Sequence, residues 1–555
     1  MPTGPLRPEN VPTSTLQLLP ATRPVLDRPT SLYEKACQLV FARLGSNLPP
    51  TRTAEDDIER VEELLGRCPV GGLIFFNSHW PDARESLARA QSASPYPLLV
   101  GADIERGIGQ EVRGATRFPH AMAFGAISAR SHEEAEKLVE ESAKVTAREG
   151  RACGIHITFA PVADVNLTSQ NPIIATRAFG EEPEGVGRLV RAYLRGCRTE
   201  GMLTTPKHFP GHGRTTADPH AEMPLVEASR EKLAETDFAP FRAAFEEKAD
   251  LVMSAHVAYP ALDDNKTPAT GSEQILKGLL REEMGFEGPA VSDSLLMGAV
   301  QDTHDSPGAQ AAALVGAGVD LLLDPDDPEA VATGIVEAVE DGSLPEERVD
   351  EAMARTWRLK EGLAERHGRE AAFPTRVEHD PAESRKVGDT EHRQLARRIA
   401  RKAVTTLDNG TGALPLTPAP GNKMVFVRLA AGEHTDNVLL AKAVQETFPQ
   451  ARYYAAGPDV EERELEILRR EATDADTVVL ALRVEPAAWH TFGLTESQQR
   501  FAEALVAEHP TVVAALGTPH VLEDFPGATA RLCAYSDVPA SQEALVEALA
   551  ERGGS

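Results

Sequence analysis

Cysteine is scarce in this chain. Its five cysteines, Cys37, Cys68, Cys153, Cys197 and Cys533, are odd in number, scattered over 555 residues and without a C-x-x-C pair. That excludes a disulfide framework and a zinc knuckle and leaves the pattern of buried thiols. Long uncharged apolar runs are missing as well. The first 30 residues are rich in proline and threonine but hold no apolar stretch of the signal-peptide kind. The expectation is therefore a disordered segment over 1–30, a cytoplasmic location and no membrane partner. Positive charge is in deficit: Lys and Arg number 57 against 85 Asp and Glu, a net charge of −28. Such a field repels phosphate backbones, so no nucleic acid partner is expected.

What the chain does have is alternation. From residue 31 to 372 short apolar runs alternate with longer charged stretches of helical period, the pattern of repeated βα units on a parallel sheet. Candidate strands are 39–43, 72–76, 97–102, 155–160, 203–206, 251–254, 289–292 and 319–323. Eight strands over that length predict a (β/α)8 TIM-type barrel, whose active site lies at the carboxyl ends of the strands. A polar stretch over 373–392 reads as a linker. From 393 to 555 strand and helix patterns alternate again, with no internal repeat and no G-x-G-x-x-G fingerprint, which predicts a second α/β sandwich domain. In it 393–407 reads as a helix leading to a short strand.

Polar residues sit where the barrel strands end: Asp103, Asp164, Lys207 with His208, His256, Asp293 and Asp324. One acidic residue after a strand is usually a helix cap. Six such positions at one mouth imply partnered or working charges, because unpaired buried charge is costly. Asp293, after Ala290-Val291-Ser292, is the best candidate for a nucleophile or a metal ligand. Asp218 and His220 bracket Pro219 in a loop, and a carboxylate beside an imidazole orients it and supports proton transfer near neutral pH. Gly211 and Gly213 read as a hinge that lets this loop swing. The spacing of His208, His212, Asp218 and His220 matches no helical metal-ligand pattern, so neither metal nor cofactor is expected. Lys207, His208, Arg177 and Asp103 supply donors and an acceptor suited to a polyhydroxylated ligand.

Several ordered blocks, Phe159-Ala-Pro-Val-Ala-Asp-Val-Asn166, Lys207–Gly213, Asp218-Pro-His220 and Val291–Met297, resemble glycoside hydrolase family three. Within it they are similar to the β-N-acetylglucosaminidases of two-domain type that recycle cell-wall sugars. The resemblance implies that Asp293 attacks the anomeric carbon to form a covalent glycosyl-enzyme. His220, paired with Asp218, would act as acid and then base, and Asp103, Arg177, Lys207 and His208 would bind the sugar. The implied reaction is hydrolysis of terminal β-linked N-acetylglucosamine from peptidoglycan fragments or chitooligosaccharides. Alternatives are a β-glucosidase or β-xylosidase, a phosphorylase of the same family, and an inactive sugar-binding scaffold. Two departures stand out. Ile104-Glu-Arg-Gly-Ile-Gly-Gln110 replaces the family's Glu-Gly-Gly-Arg, leaving Arg106 and Arg113 as candidates for its arginine, and Ser294 stands where a second aspartate is frequent. The oligomeric state is not legible in the sequence.

Overall fold

The computed structural model describes residues 26–216, 223–265, 267–298, 304–377, 387–410, 412–417, 421–432, 438–486 and 492–550. All eight expected barrel strands form: β1 (Val40–Leu44), β2 (Gly72–Phe75), β3 (Leu99–Ala102), β4 (Ile157–Thr158), β5 (Leu203–Thr204), β6 (Val252–Met253), β7 (Ala290–Val291) and β8 (Leu322–Leu323). Parallel pairing runs without a break from β8 through β1, β2, β3 and β4 to β5. The circle closes by Met253 N donating to Pro206 O, by the β6–β7 pair, and by Ser292 N donating to Leu321 O.

These strands are continuous apolar runs because helices cover one face and the barrel core fills the other. Phe41, Phe75, Phe159 and Phe209 are fully buried in that core. Gly72 is glycine by necessity, since a Cβ there would lie 2.4 Å from Leu99 O and 2.6 Å from the Phe41 ring. Two of the long helices begin at side-chain caps: Thr53 and Ser131 each accept from a backbone N–H in the first turn, which satisfies a donor that the helix itself leaves open.

The second unit is a six-stranded sheet built from β9 (Thr405–Asp408), β10 (Met424–Ala430), β11 (Arg452–Ala456), β12 (Thr477–Arg483), β13 (Thr511–Ala515) and β14 (Ala530–Cys533). Its order is β9-β14-β13-β12-β10-β11, with all pairs parallel except β9–β14. The helix expected over 393–407 spans Thr390–Ala403. It stops there because Thr405-Thr406 pair in the sheet edge, where branched side chains sit well.

The chain re-enters the barrel's side before that helix. Glu149, fully buried on the helix His132–Cys153, accepts from Thr116 N and Oγ1, from Gly388 N at 2.9 Å and from His392 Nδ1 at 2.8 Å. At the other end of the chain Leu26 is buried and Arg28 pairs with Glu361. Among the described residues no helix is long and apolar enough to cross a membrane.

Candidate active site

A cleft of about 400 Å³ opens at the carboxyl ends of the barrel strands, lined among others by Asp103, Glu105, Lys207, His208, Asp293 and Asp324. Asp293 follows β7, and its Oδ1 accepts from Ser294 N at 2.8 Å. Its Oδ2 stands 4.0 Å from His208 Nε2, and the side chain is 20% exposed. Burial works against the carboxylate, but the proximity of His208, His256 and Lys207 outweighs it and holds its pKa below the ordinary aspartate value. A carboxylate kept ionised in a cleft is suited to attack or to stabilise a cation.

Beside it lies a compact charge cluster. Lys207 Nζ, almost fully buried, reaches Asp103 Oδ1 at 2.7 Å and Glu105 Oε1 at 2.8 Å. Arg177 grips Glu105 with two bonds, 2.8 Å from Nη2 and 3.1 Å from Nε, in the fork geometry that suits guanidinium and carboxylate. Two cations and two carboxylates balance, which is what allows them to stay buried. Desolvation disfavours the charges of Glu105, Lys207 and Arg177. The opposing partners prevail, holding Glu105 well below the usual carboxylate range and Lys207 above its ordinary value.

His208 is fixed from behind. Its Nδ1 lies 2.7 Å from Asp164 Oδ2, and Asp164, fully buried, also accepts from the backbone N–H groups of His208 and His212. Asp164 is thus a support rather than part of the cleft wall. His256 plays a similar part on the other side: Nδ1 contacts Thr270 Oγ1 at 2.9 Å and Nε2 contacts Ser294 O at 3.2 Å. Burial lowers the His256 pKa. His212 bonds Thr215, and burial pushes its imidazole down to about 4. Ser294 Oγ donates to Asp324 Oδ2 at 2.8 Å, and Arg43 holds the same carboxylate. The residue at 294 therefore ties the β7 loop to the β8 loop.

The six strand-end positions all lie at this mouth. Asp103, Lys207, His208, Asp293 and Asp324 line the cleft, while Asp164 and His256 stand behind it. Asp218 and His220 lie outside the described residues. The glycines read as a hinge are packed instead: a Cβ on Gly213 would meet Val165 O at 1.6 Å, and one on Gly211, at φ 137°, would meet Asp237 Cβ at 2.8 Å. Their signal is close backbone approach. Of the two arginines left open by sequence, Arg106 lines the cleft, whereas Arg113 is exposed and contacts His79.

Sequence reasoning assigned no part to Glu105 or to the wall contributed by the second unit. Glu485, just past β12, lines the same cleft, with its Oε2 2.6 Å from Arg483 Nη2. Arg483 Nε donates to Asp537 at 2.7 Å. Burial first, then the neighbouring Asp537, raises the Glu485 carboxyl well above its ordinary value. His120 on the barrel bonds Ser536 at 2.9 Å and is lowered to about 3 by burial. Nothing local in the sequence around Glu485 signals this, because only the docking of the two units brings it to the cleft.

Comparison with known proteins agrees with this architecture. Residues 31–359 match the profile described as "Glycosyl hydrolase family 3 N terminal domain". The chain belongs to glycosyl hydrolase family 3. A "Beta-hexosaminidase A" of Pseudoalteromonas piscicida is 31% identical over 386 residues, which cover 64% of this chain and 62% of that relative. A "Beta-N-acetylglucosaminidase/beta-glucosidase" of Cellulomonas fimi is 28% identical over 520 residues, covering 90% of this chain and 89% of that relative. Among solved structures, a family 3 beta-N-acetylglucosaminidase from a Paenibacillus species superposes with a TM-score of 0.81 at 28% identity, covering 94% of this chain and 97% of that one. Family 3 membership makes the cleft that of a glycosidase.

Proposed function

We propose that the protein is a retaining exo-β-N-acetylglucosaminidase that removes terminal β-linked N-acetylglucosamine from peptidoglycan fragments or chitooligosaccharides, acting in the cytoplasm. The observation that carries the reading is Asp293: an ionised carboxylate in the cleft, supported by Ser294 N and facing His208. In the proposed reaction Asp293 attacks the anomeric carbon, the bond to the leaving oxygen breaks, and His220, oriented by Asp218, gives that oxygen a proton. Water then attacks the glycosyl ester while His220 takes a proton back, so the configuration at carbon is inverted twice and retained. Asp103, Lys207, Arg177 and His208 hold the sugar hydroxyls. No step needs a metal or a cofactor.

A second reading, a β-glucosidase with Glu485 as proton donor, is favoured by one observation. A carboxyl whose pKa burial and then Asp537 push well above the ordinary value lies in the cleft. The double name of the Cellulomonas fimi relative fits either substrate.

A panel of nitrophenyl glycosides followed by NMR of the anomeric product decides between them. The first reading expects the N-acetylglucosaminide to exceed the glucoside in kcat/KM by more than about tenfold, with β-product formed first. A preference for glucoside or xyloside overturns the substrate, an α-product overturns retention, and sugar 1-phosphate formed on adding phosphate marks a phosphorylase. No turnover of any glycoside marks a sugar-binding scaffold.

A further inference from the structure

Two of the five cysteines stand in contact. Cys37 ends the helix Leu32–Cys37, Cys68 caps the helix Ala54–Arg67, and their Sγ atoms are 3.2 Å apart with both residues fully buried. A disulfide needs sulfurs at about 2 Å, so roughly one ångström of approach forms the bond. Cys197 and Cys533 point their thiols at the carbonyls of Ala143 and Gly517 instead.

We propose that Cys37 and Cys68 are a thiol pair that hydrogen peroxide converts reversibly to a disulfide, stapling the amino-terminal end of the barrel. Three features support it. The contact lowers the Cys68 thiol below its ordinary value and raises that of Cys37, so one sulfur is the readier nucleophile. The helix that carries Cys37 is six residues long, and Leu32 to Lys35 in it are only half-buried. That partly exposed flank is the side from which a molecule as small as a peroxide would reach the sulfurs. The pair also precedes β1 and β2, at the end of the barrel opposite the cleft, so its oxidation leaves the catalytic groups in place.

In the reaction the Cys68 sulfur attacks a peroxide oxygen and the O–O bond breaks, giving a sulfenic acid and one water. The Cys37 sulfur then displaces the hydroxyl of the sulfenic acid, forming the S–S bond and releasing the second water. Two thiols lose two electrons and two protons, and one peroxide is reduced to two waters. A dithiol reverses the step by exchange.

The test uses the full-length protein. It is exposed to hydrogen peroxide or to dithiothreitol, denatured with N-ethylmaleimide, weighed and digested. The reduced protein should take up five maleimides and the oxidised protein three, with one peptide linking Cys37 to Cys68. The link closes a long chain segment and should raise Tm by several degrees, with kcat/KM unchanged within twofold. Cys68→Ser and Cys37→Ala should each lose the link and the Tm rise. Five maleimides on oxidised wild type, a link between other cysteines, sulfinic acid at Cys68 without a link, or a link that lowers Tm overturns the proposal. The wild-type map decides alone if either variant fails to fold.

Discussion

Replacing Glu105 by Gln keeps the shape of the side chain and removes one charge from the cluster beside Asp293. Glu105 carries three short contacts to two buried cations, Arg177 twice and Lys207 once. The amide keeps one acceptor but turns an N–H2 toward a guanidinium or an ammonium, and the balanced cluster gains a net positive charge. Breaking a buried ion pair by removing one partner costs about 3–5 kcal/mol. One bond survives, so the lower end, about 3 kcal/mol, is expected. At roughly 2–4 °C of Tm per kcal/mol in a large domain, Glu105→Gln should lower Tm by about 6–12 °C. With Arg177 and Lys207 no longer fixed, KM should rise more than kcat falls. Calorimetry and steady-state kinetics on a nitrophenyl glycoside measure both. A Tm within about 1 °C of wild type, together with kcat/KM within threefold, would refute the reasoning, because a charge matched by two cations cannot be neutralised silently in a buried site.

Asp293→Ala should fold normally and lose more than about a hundredfold in kcat, since no neighbour replaces a nucleophile; residual turnover above that sinks the assignment. Because Asp293 is held below the ordinary aspartate value of 3.8, the acid limb of kcat/KM due to its protonation should fall below that pH, and a limb near 5 would contradict the geometry. His220→Ala should hurt substrates with poor leaving groups far more than activated nitrophenyl ones, whereas Glu485→Gln should do so only if the second reading holds. Lys360 is fully buried against Gln38 Oε1 at 2.6 Å and the Trp357 ring, and burial pushes its ammonium from 10.5 down to about 7. The unfolded chain therefore holds more protons between those values, so stability should rise with pH from about 7 to 10.5, by at most about 1.4 kcal/mol per pH unit. Lys360→Met should abolish that slope in pH-dependent chemical denaturation.

The eight barrel strands were legible because each is buried on both faces and so is written as an unbroken apolar run. The residues just past those runs were legible for the same reason: the strand end fixes where Asp103, Lys207 and Asp293 must stand. Glu105 was not, because two residues after Asp103 it reads as an ordinary turn carboxylate, and only the close approach of Arg177 and Lys207 gives it a part. Asp164 was found, yet its place behind His208 depends on a backbone turn that no spacing announces. Glu485 meets the cleft through docking of the two units, a relation between distant segments. Gly211 and Gly213 carried a real signal that admitted two physical meanings, freedom or crowding, and the packing around Val165 and Asp237 selects crowding.

The grip of Glu149 on Gly388 and His392 separates two properties usually joined, the length of a connection and the placement of the unit beyond it. The second unit is registered on the barrel after the stretch between Val377 and Val387, by hydrogen bonds that do not involve that stretch. Contacts made from Gly388 onward therefore help to hold Glu485 where it faces the barrel cleft. Loss of the Glu149 carboxylate should therefore be felt at a distance, as a loosening of the wall that Glu485 supplies.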